Sequence, residues 1–246
     1  MNGFFDSILL SAFGRQDFEM KVQTVSAGCI NNAAKLCTKK GSYFLKWNEG
    51  STDIFAKELL GLDLLNGCSE INIPKTYQSG EIDGKAYLLM EYIETGENTS
   101  KYWENLGIGL AGLHQTTNSY FGLDHNNFIG SLSQSNTYEH TWIDFFINQR
   151  LIPQMQIALS MGLINGSISR QFESLFSRLE KLVPKEKPAL LHGDLWRGNI
   201  LCGYESKPFI MDPAVYYGHR EAELSFTKLL GDLTLPFIPL IIIHFP

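Results

Sequence analysis

Apolar residues at the N-terminus recur every three to four positions, whereas farther along the chain they alternate with polar ones. The first stretch, "MNGFFDSILLSAFG", therefore predicts a short amphipathic helix. The next, "VQTVSAGCINNAAKLCTKKGSYFLKWNE", contains two runs rich in β-forming residues, and the "KKGS" between them predicts a hairpin with Gly41 in its turn. A turn-like "SAGCINN" lies inside the first run.

A helix and a second hairpin follow in the pattern. The segment "STDIFAKELLGLDLLNG" predicts a helix that ends at Gly67. Its apolar positions share one face: Phe55, Leu59, Leu62 and Leu65. The candidate N-terminal caps are Ser51, Thr52 and Asp53. "KTYQSGEIDGKAYLLMEYIE" then predicts two strands around a turn at Asp83 and Gly84, so this region is a mostly antiparallel sheet with one inserted helix.

From about Ser100 the pattern changes to long helical periods. "KYWENLGIGLAGLHQTT" predicts a helix with a shared apolar face at Leu106, Leu110 and Leu113. "TWIDFFINQRLIPQMQIALSMGL" continues the helical pattern, and "ISRQFESLFSRLEKLV" predicts one further helix that ends before Pro184 and Pro188. The apolar positions of this last helix are Phe172, Leu175, Phe176, Leu179 and Leu182.

The polar, turn-prone segment from Gly96 to Ser100 is the predicted linker between two lobes. Residues 1–97 would form a small β-rich lobe, and residues 98–246 a larger helical lobe. A chain of 246 residues is long enough to bury a core in each and to enclose a cleft between them. The predicted fold class is α+β and bilobal, with a small antiparallel sheet that carries one inserted helix and a mainly helical second lobe.

The charge and the cysteines limit the possible partners and compartments. The net charge is −6, and no run of Lys or Arg offers the basic face that nucleic acid requires, so we expect no nucleic-acid partner. The cysteines, which are Cys29, Cys37, Cys68 and Cys202, form no CxxC pair and no zinc-type spacing. They indicate free thiols in a reducing compartment, and the N-terminus lacks the features of a secretion signal, so we expect a cytoplasmic protein.

The C-terminal stretch "LTLPFIPLIIIHFP" is strongly apolar but is too short to span a bilayer, and it contains Pro236 and Pro239. We therefore expect no stable membrane insertion. Three interpretations remain open for it: a buried terminal strand, a tail that lies on a membrane surface, or a chain that lacks its natural C-terminal part.

The segment "LLHGDLWRGNILCG" places polar residues between two short apolar runs. His192, Asp194 and Asn199 have the spacing H-x-D-x-x-x-x-N of a phosphotransferase catalytic loop, and Asp212 follows in "MDPA" after a strand-like "KPFIM". A kinase needs a carboxylate to orient a hydroxyl and hard oxygen ligands to hold magnesium beside the phosphates. The alternative is that Asp194 and Asn199 are turn residues and that Asp212 caps the chain before Pro213.

A lysine and an acid that could position phosphates precede this loop. Lys46 lies in the strand pattern "YFLKW", and Glu58 lies twelve residues later on the predicted helix. In kinases a strand lysine that contacts phosphates is held by a helix carboxylate. Alternatively, Lys46 is an edge-strand charge and Glu58 belongs to a solvated helix face. The order of these residues before the catalytic loop favours the first interpretation.

The nucleotide would need a loop over its phosphates and an edge for its adenine. "SAGCINNAA" lies where the phosphate loop is expected, but it contains Gly28 alone, which is a weak signal. Its small or polar residues that could approach phosphates are Ser26, Asn31 and Asn32. The backbone at Glu91, Tyr92 and Ile93, at the end of "LLMEYIETG", would read the adenine edge, or it is an ordinary strand end.

Together these segments resemble the fructosamine-3-kinase (ketosamine-3-kinase) family, which is similar in fold to aminoglycoside phosphotransferases and choline kinases. The resemblance extends over nearly the whole chain, from "SAGCINNAAKL" and "YFLKWN" to "MDPAVYYGHREAELSFTKLLG". "NFIGSLSQSN" and "FFINQRLIPQ" are its most specific parts, because catalytic-loop motifs are shared by many kinases. The resemblance implies a protein-kinase-like fold with a nucleotide-binding first lobe and a catalytic, substrate-binding second lobe.

The resemblance also implies a reaction. ATP and Mg²⁺ would serve the transfer of the γ-phosphoryl group to the C3 hydroxyl of a ketosamine, either a free metabolite or a glycated protein lysine, and the unstable product would then lose its sugar. By matching positions, Asp194 is the catalytic base, Asn199 and Asp212 bind magnesium, and Lys46 and Glu58 position the phosphates.

Two loop residues and the C-terminus need separate interpretations. His192 is assigned to the substrate side of the loop, which we expect it to brace by hydrogen bonding, and Trp196 either offers an apolar wall to the sugar or anchors the loop in the core. The family continues past "TKLLG" with helices, which suggests that this chain is shortened. Two alternatives therefore stay open: a kinase for an aminoglycoside or an amino alcohol, and a non-catalytic nucleotide-binding remnant.

Overall fold

The N-terminal half contains a five-stranded antiparallel sheet with the strand order β1-β2-β3-β5-β4. It is seen in a computed structural model that describes residues 2–14, 19–25, 31–67 and 71–230. The strands are β1 (Lys21–Val25), β2 (Asn32–Thr38), β3 (Gly41–Asn48), β4 (Thr76–Ile82) and β5 (Lys85–Glu91). The first predicted β-rich run is thus two strands, β1 and β2, on either side of the turn-like segment.

Both predicted hairpins are present in the sheet. The turn between β4 and β5 is formed by Asp83 and Gly84, whose φ angles of 52° and 71° are those of a turn that matches the twist of the strands. In the hairpin of β2 and β3, Gly41 is the first residue of β3 rather than a turn residue, and it pairs with Thr38. Its φ angle of 139° is one that glycine tolerates.

Two helices cover the two faces of the sheet. Helix α1 (Asn2–Phe13) packs Ile8 and Leu9 against one face, and helix α2 (Thr52–Asn66) packs Phe55 and Leu62 against the other. Strand β5 shows the alternation that this requires, since Tyr87 and Leu89 belong to the α1 side. The residues of β5 on the α2 side are Ala86, Leu88 and Met90.

The predicted ends of α2 are confirmed. The Ser51 side chain accepts a hydrogen bond from the backbone N–H of Asp53 at 3.1 Å, so Ser51 is the N-cap. At the other end, the backbone N–H of Gly67 donates to the Asp63 carbonyl at 3.2 Å. These caps satisfy backbone groups that the helix itself leaves unpaired.

The second half is mainly helical and begins with α3 (Ser100–His114), which Thr99 caps. As predicted, Leu106, Leu110 and Leu113 of α3 are wholly buried in the largest hydrophobic cluster. A small hairpin follows, formed by β6 (Asn127–Ile129) and β7 (Leu132–Gln134). Helix α4 (Trp142–Phe145) then leads through a π-helical segment into α5 (Ile152–Ser160), which matches the predicted helical stretch.

The prediction of one long helix over "ISRQFESLFSRLEKLV" is wrong. The segment forms α6 (Gly166–Phe176) and the single turn α7 (Leu179–Leu182), with a break between them. At the break the Ser177 hydroxyl donates to the Ser174 carbonyl at 2.8 Å, a local bond of the kind that competes with helix continuation. Of the predicted apolar face only Leu179 is buried, whereas Leu175 and Leu182 are exposed.

Four short strands and a helix complete the described chain. They are β8 (Ala189–Leu191), β9 (Ile200–Cys202), β10 (Pro208–Ile210), β11 (Tyr216–Gly218) and α8 (Arg220–Leu230). β8 pairs with β11, and β9 pairs with β10, so the loop between β8 and β9 lies beside the residues that follow β10. Asp194 and Asp212 are thereby brought to neighbouring positions.

Several predictions concern residues that the structure leaves undescribed. The apolar C-terminal stretch, Cys29 and Cys68 lie outside the described residues, whereas Cys37 and Cys202 are free thiols. Of the helices in the described ranges, none combines the length and the apolarity that crossing a membrane requires.

Candidate active site

A cleft of about 530 Å³ lies between the five-stranded sheet and the helical half. Its wall contains most of the predicted site residues: Lys46, Glu58, Glu91, Tyr92, Ile93, Asp194, Trp196, Asn199 and Asp212. Asn31, one of the residues predicted to approach the phosphates, lines the cleft as well, whereas Asn32 and His192 do not, and His192 is buried behind the wall. Ser26 and Gly28 lie outside the described residues.

Lys46 joins the two halves at the floor of the cleft. Its Nζ lies 2.5 Å from Oε1 of Glu58 on α2 and 2.5 Å from Oδ1 of Asp212, which follows β10. The Lys46 side chain is only 2% exposed and sits on β3, the central strand. The alternatives of an edge-strand charge and of a solvated glutamate are therefore wrong.

The charges of this ion triplet are set by burial and by mutual contact. Burial opposes the charged form of Lys46, but the carboxylates of Glu58 and Asp212 outweigh it and raise the lysine pKa. Burial likewise opposes ionisation of Asp212, yet the Lys46 ammonium holds the pKa of Asp212 below its usual range. For Glu58 burial dominates and raises the pKa to about 7. One ammonium thus contacts two carboxylates, and Asp212, 39% exposed against 10% for Glu58, is the more accessible of the two from the cleft.

The loop between β8 and β9 turns sharply before Asp194. Gly193 has a φ angle of 83°, and a Cβ atom there would lie 2.1 Å from the Ala214 carbonyl oxygen. Only glycine fits this position. The turn presents the Asp194 side chain to the cleft.

Asn199 holds Asp194 in place from the same loop. Its Nδ2 donates to the Asp194 carbonyl at 2.8 Å and to Oδ2 of the Asp194 side chain at 3.0 Å. Burial raises the pKa of Asp194 to about 6, although the bond from Asn199 acts against this. Because Nδ2 of Asn199 is engaged with Asp194, its Oδ1 is the atom that can bind a metal.

His192 braces the loop from behind, as expected, but it does not face the cleft. Its side chain is wholly buried, with Nε2 at 2.9 Å from the Met211 carbonyl oxygen and Nδ1 accepting from the Asp194 backbone N–H at 3.3 Å. Nε2 therefore carries the proton, and burial lowers the pKa of the ring. His192 connects Asp194 to Met211, which follows β10, and its burial keeps it from contacting a substrate in this geometry.

Trp196 lies on the wall of the cleft and is 37% exposed. Its ring covers Gly198, where a Cβ atom would lie 2.4 Å from the ring. This position is not that of a side chain anchored in the core, and it favours the interpretation of Trp196 as an apolar wall.

The end of β5 and the segment after it, predicted to read the adenine edge, form one side of the cleft. The Glu91 backbone N–H is already paired with the Lys75 carbonyl at 2.7 Å, so Tyr92 and Ile93 offer the next backbone groups along the cleft. Gly96 then contacts the other half, since its N–H donates to the Cys202 carbonyl at 2.8 Å. The wall beside this edge is apolar and includes Phe44, Met90, Leu201 and Met211.

The hairpin of β6 and β7 forms a part of the wall to which the sequence assigns no role. Asn127, Phe128 and Gly130 line the cleft there. The Asn127 side chain is buried, donates to the Val215 carbonyl at 2.8 Å and accepts from Gln134 at 3.0 Å. The hairpin lies in the segment "NFIGSLSQSN", and the specificity of that segment within the resemblance is the one sequence signal that could have identified it.

The donors at the cleft fit a magnesium ion. Asp212 offers a carboxylate and Asn199 an amide oxygen, and both line the cleft. Within the described residues no group of three or more His, Cys, Asp and Glu side chains could form an all-protein cage. Magnesium in phosphoryl-transfer sites is bound by one or two carboxylates together with substrate phosphates and water, so a small oxygen donor set is the one expected.

Comparison with known proteins identifies relatives over nearly the whole chain. A family model described as fructosamine kinase matches residues 6–239. The Enterococcus faecium protein named "Probable ketoamine kinase" is 35% identical over 221 residues, which cover 89% of this chain and 78% of that protein. The chloroplastic protein-ribulosamine 3-kinase of Arabidopsis thaliana is 36% identical over 218 residues, which cover 86% of this chain and 66% of that protein.

Solved structures give the same result for the fold. The crystal structure of a candidate fructosamine-3-kinase from Haemophilus somnus 129PT superposes with a TM-score of 0.87 at 29% identity, covering 100% of this chain and 83% of that one. An aminoglycoside phosphotransferase bound to ADP and hygromycin B superposes with a TM-score of 0.60 at 14% identity, covering 90% and 75%. At that identity the second likeness concerns the fold alone. The predicted α+β, protein-kinase-like fold is confirmed.

Proposed function

This chain belongs to the fructosamine kinase family, and from that premise we propose that it transfers the γ-phosphoryl group of ATP to a sugar hydroxyl of ketosamines. The acceptor would be of the fructosamine or ribulosamine type, free or attached to a protein lysine, and phosphorylation would promote deglycation. The observation that carries the proposal is the Lys46–Glu58–Asp212 ion triplet, which lies beside Asp194 in one cleft.

Asp194 acts as the base in this proposal. Asn199 occupies Oδ2 of the carboxylate, so Oδ1 remains to accept the proton of the sugar hydroxyl. Trp196 and the β6–β7 hairpin would hold the sugar against Asp194, and His192 would keep the loop in position from the buried side.

Lys46 and Glu58 position the phosphates. The Lys46 ammonium already lies beside Asp212, so phosphates bound there would meet a cation whose place Glu58 maintains. Preorganised charge of this kind stabilises the charge that develops during phosphoryl transfer.

A divalent metal would be held by the Asp212 carboxylate and Oδ1 of Asn199, and we propose Mg²⁺ because these hard oxygen ligands suit it. When bound, the ion neutralises charge on the phosphates. Adenine would lie against the apolar wall, beside the backbone of Glu91, Tyr92 and Ile93. A phosphate contact from the loop at Gly28 stays a prediction.

We place the boundary between the nucleotide-binding lobe and the helical lobe at residues 97 and 98, within the irregular segment that precedes α3. The expectations of a cytoplasmic location and of no nucleic-acid partner stay predictions.

An acceptor panel tests the proposal. The purified chain is incubated with ATP, Mg²⁺ and, separately, fructosamine, ribulosamine, choline or kanamycin, and ADP release is measured. We expect turnover with the sugar amines alone. Turnover with only choline or kanamycin would contradict the ketosamine assignment, and ATP binding without turnover for any acceptor would favour a non-catalytic remnant.

A further inference from the structure

Helix α8 contacts the catalytic loop on both sides of Asp194. The backbone N–H of Gly193, one residue before Asp194, donates to Oε1 of Glu223 at 2.8 Å. The Thr227 hydroxyl donates to the carbonyl of Leu195, one residue after Asp194, at 2.8 Å. The residues on either side of Asp194 are thus each bonded, through a backbone group, to a side chain of the same helix.

These two side chains are both buried and contact the loop from the same face of α8. Glu223 and Thr227 are four residues apart on α8, which places them on one face of the helix. They are 3% and 0% exposed. Neither lines the cleft, so their contacts are with the loop backbone rather than with anything bound in the cleft.

Glu223 is in turn fixed by a third element. Its second oxygen, Oε2, lies 2.7 Å from Nε2 of His114 at the end of α3, and His114 is 1% exposed. Burial opposes ionisation of Glu223, but the bonds from His114 and Gly193 outweigh it and lower the glutamate pKa. An ionised carboxylate is a stronger acceptor than a neutral group, so the bond to Gly193 is of the strong kind.

The loop needs this external support. Gly193 has no side chain, and its φ angle of 83° is one that an unrestrained loop would readily leave. His192 and Asn199 tie the loop to Met211, which follows β10, whereas the residues directly on either side of Asp194 are tied to α8. A displacement of the base by about 1 Å is enough to reduce turnover strongly.

We propose that Glu223 and Thr227 are positioning residues that fix the base Asp194 for phosphoryl transfer. The inference rests on the proposed function and adds residues to which neither the motif nor the fold assigns a role. It carries a specific consequence: loss of either bond lowers kcat while the affinity for ATP and ketosamine stays close to that of the unmodified chain.

The Thr227 hydroxyl gives the cleanest test, because Thr227→Val keeps the shape and removes only the hydrogen bond, whereas Thr227→Ser keeps the bond. We expect kcat with fructosamine to fall about tenfold in Thr227→Val, with KM values within about twofold, and to recover in Thr227→Ser. A folded Thr227→Val variant with unchanged kcat, or a Thr227→Ser variant as slow as Thr227→Val, would overturn the proposal.

A matched control separates positioning from stability. Ile8→Val removes one buried methyl group from the cluster between α1 and the five-stranded sheet, far from the loop, and destabilises the fold modestly. At a temperature well below its Tm this variant should keep the kcat of the unmodified chain. If Ile8→Val lowers kcat as much as Thr227→Val does at equal loss of Tm, the effect is general and the positioning role is refuted.

Amide hydrogen exchange tests the contact between α8 and the loop independently of catalytic turnover. The Gly193 amide should exchange faster in Thr227→Val and faster still in Glu223→Ala, while exchange in β3 stays unchanged. If the unmodified chain fails to phosphorylate ketosamines, the proposed function fails, and faster exchange at Gly193 still supports the contact of α8 with the loop. Unchanged exchange at Gly193 in both variants would refute that contact whatever the activity.

Discussion

Replacing Lys46 by methionine removes the cation that Glu58 and Asp212 share. The lysine Nζ lies 2.5 Å from an oxygen of each carboxylate and is almost wholly buried. The loss of the cation destabilises Glu58 more than Asp212, because the Asp212 side chain is 39% exposed to solvent and the Glu58 side chain only 10%. Glu58 is therefore left buried without its cation, and it must either stay an uncompensated charge or take up a proton, each at a cost in stability.

The expected cost follows from that burial. Removing one partner of a buried ion pair destabilises a protein by about 3–5 kcal/mol, because the charge that remains is uncompensated. Replacing both partners by apolar groups of similar volume is often neutral. Lys46→Met should thus lower the free energy of unfolding by about 3 kcal/mol, and Lys46→Met combined with Glu58→Met should recover most of it.

Urea unfolding at pH 8 provides the assay, with ADP release measured on the same samples. We expect the double variant to approach the stability of the unmodified chain yet to remain inactive, since it still lacks the Lys46 ammonium that we propose positions the phosphates. A loss below about 1 kcal/mol in Lys46→Met, or a double variant as unstable as the single one, would refute the assignment of Lys46 and Glu58 as a buried, mutually dependent pair.

Three further predictions concern the loop, the hairpin and α8. Gly193→Ala should abolish ADP release, because its Cβ atom would lie 2.1 Å from a backbone oxygen. Gly112→Ala on α3, where nothing lies within 4 Å of the added Cβ atom, should leave ADP release intact. Equal activity of the two variants would contradict the strained turn. Phe128→Ala should raise KM for ketosamine severalfold and leave KM for ATP unchanged in steady-state kinetics, and the reverse pattern would place the hairpin on the nucleotide side. Folding lowers the pKa of Glu223, so its contribution to stability is present above the unfolded pKa and is lost as the pH falls through the folded pKa. Urea unfolding midpoints measured between pH 6 and 3 should therefore decline less steeply in Glu223→Gln than in the unmodified chain. Parallel declines in the two proteins would contradict this prediction.

Local signals predicted the local structure well. The cap at Ser51 and the turn at Asp83 and Gly84 depend on a few neighbouring residues, and the structure has them where the sequence indicates. The break after α6 escaped prediction because the apolar spacing continues across it, while a single serine bond and weak burial decide the local conformation. Periodicity alone does not report whether a predicted face has anything to pack against.

Site residues that belong to a sequence motif could be predicted, whereas features of the site that depend on tertiary packing could not. The approach of Lys46 to Asp212 spans 166 residues, and only the order of motifs along the chain suggested it. His192 was assigned to the substrate side because its position in the motif says nothing about burial. The roles of Glu223 and Thr227 depend on how α8 packs beneath the loop, which no local pattern contains.

The measurement that tests the central claim most directly compares the unmodified chain with Asp194→Asn in the presence of ATP, Mg²⁺ and fructosamine. Phosphorus NMR of the product and ADP release give the rate of transfer, and a nucleotide-binding titration reports whether the cleft is intact. The account predicts a sugar phosphate from the unmodified chain, a rate lower by at least about 100-fold in Asp194→Asn, and nearly equal ATP binding in both. Normal turnover in Asp194→Asn, or no sugar phosphate from the unmodified chain, would contradict it.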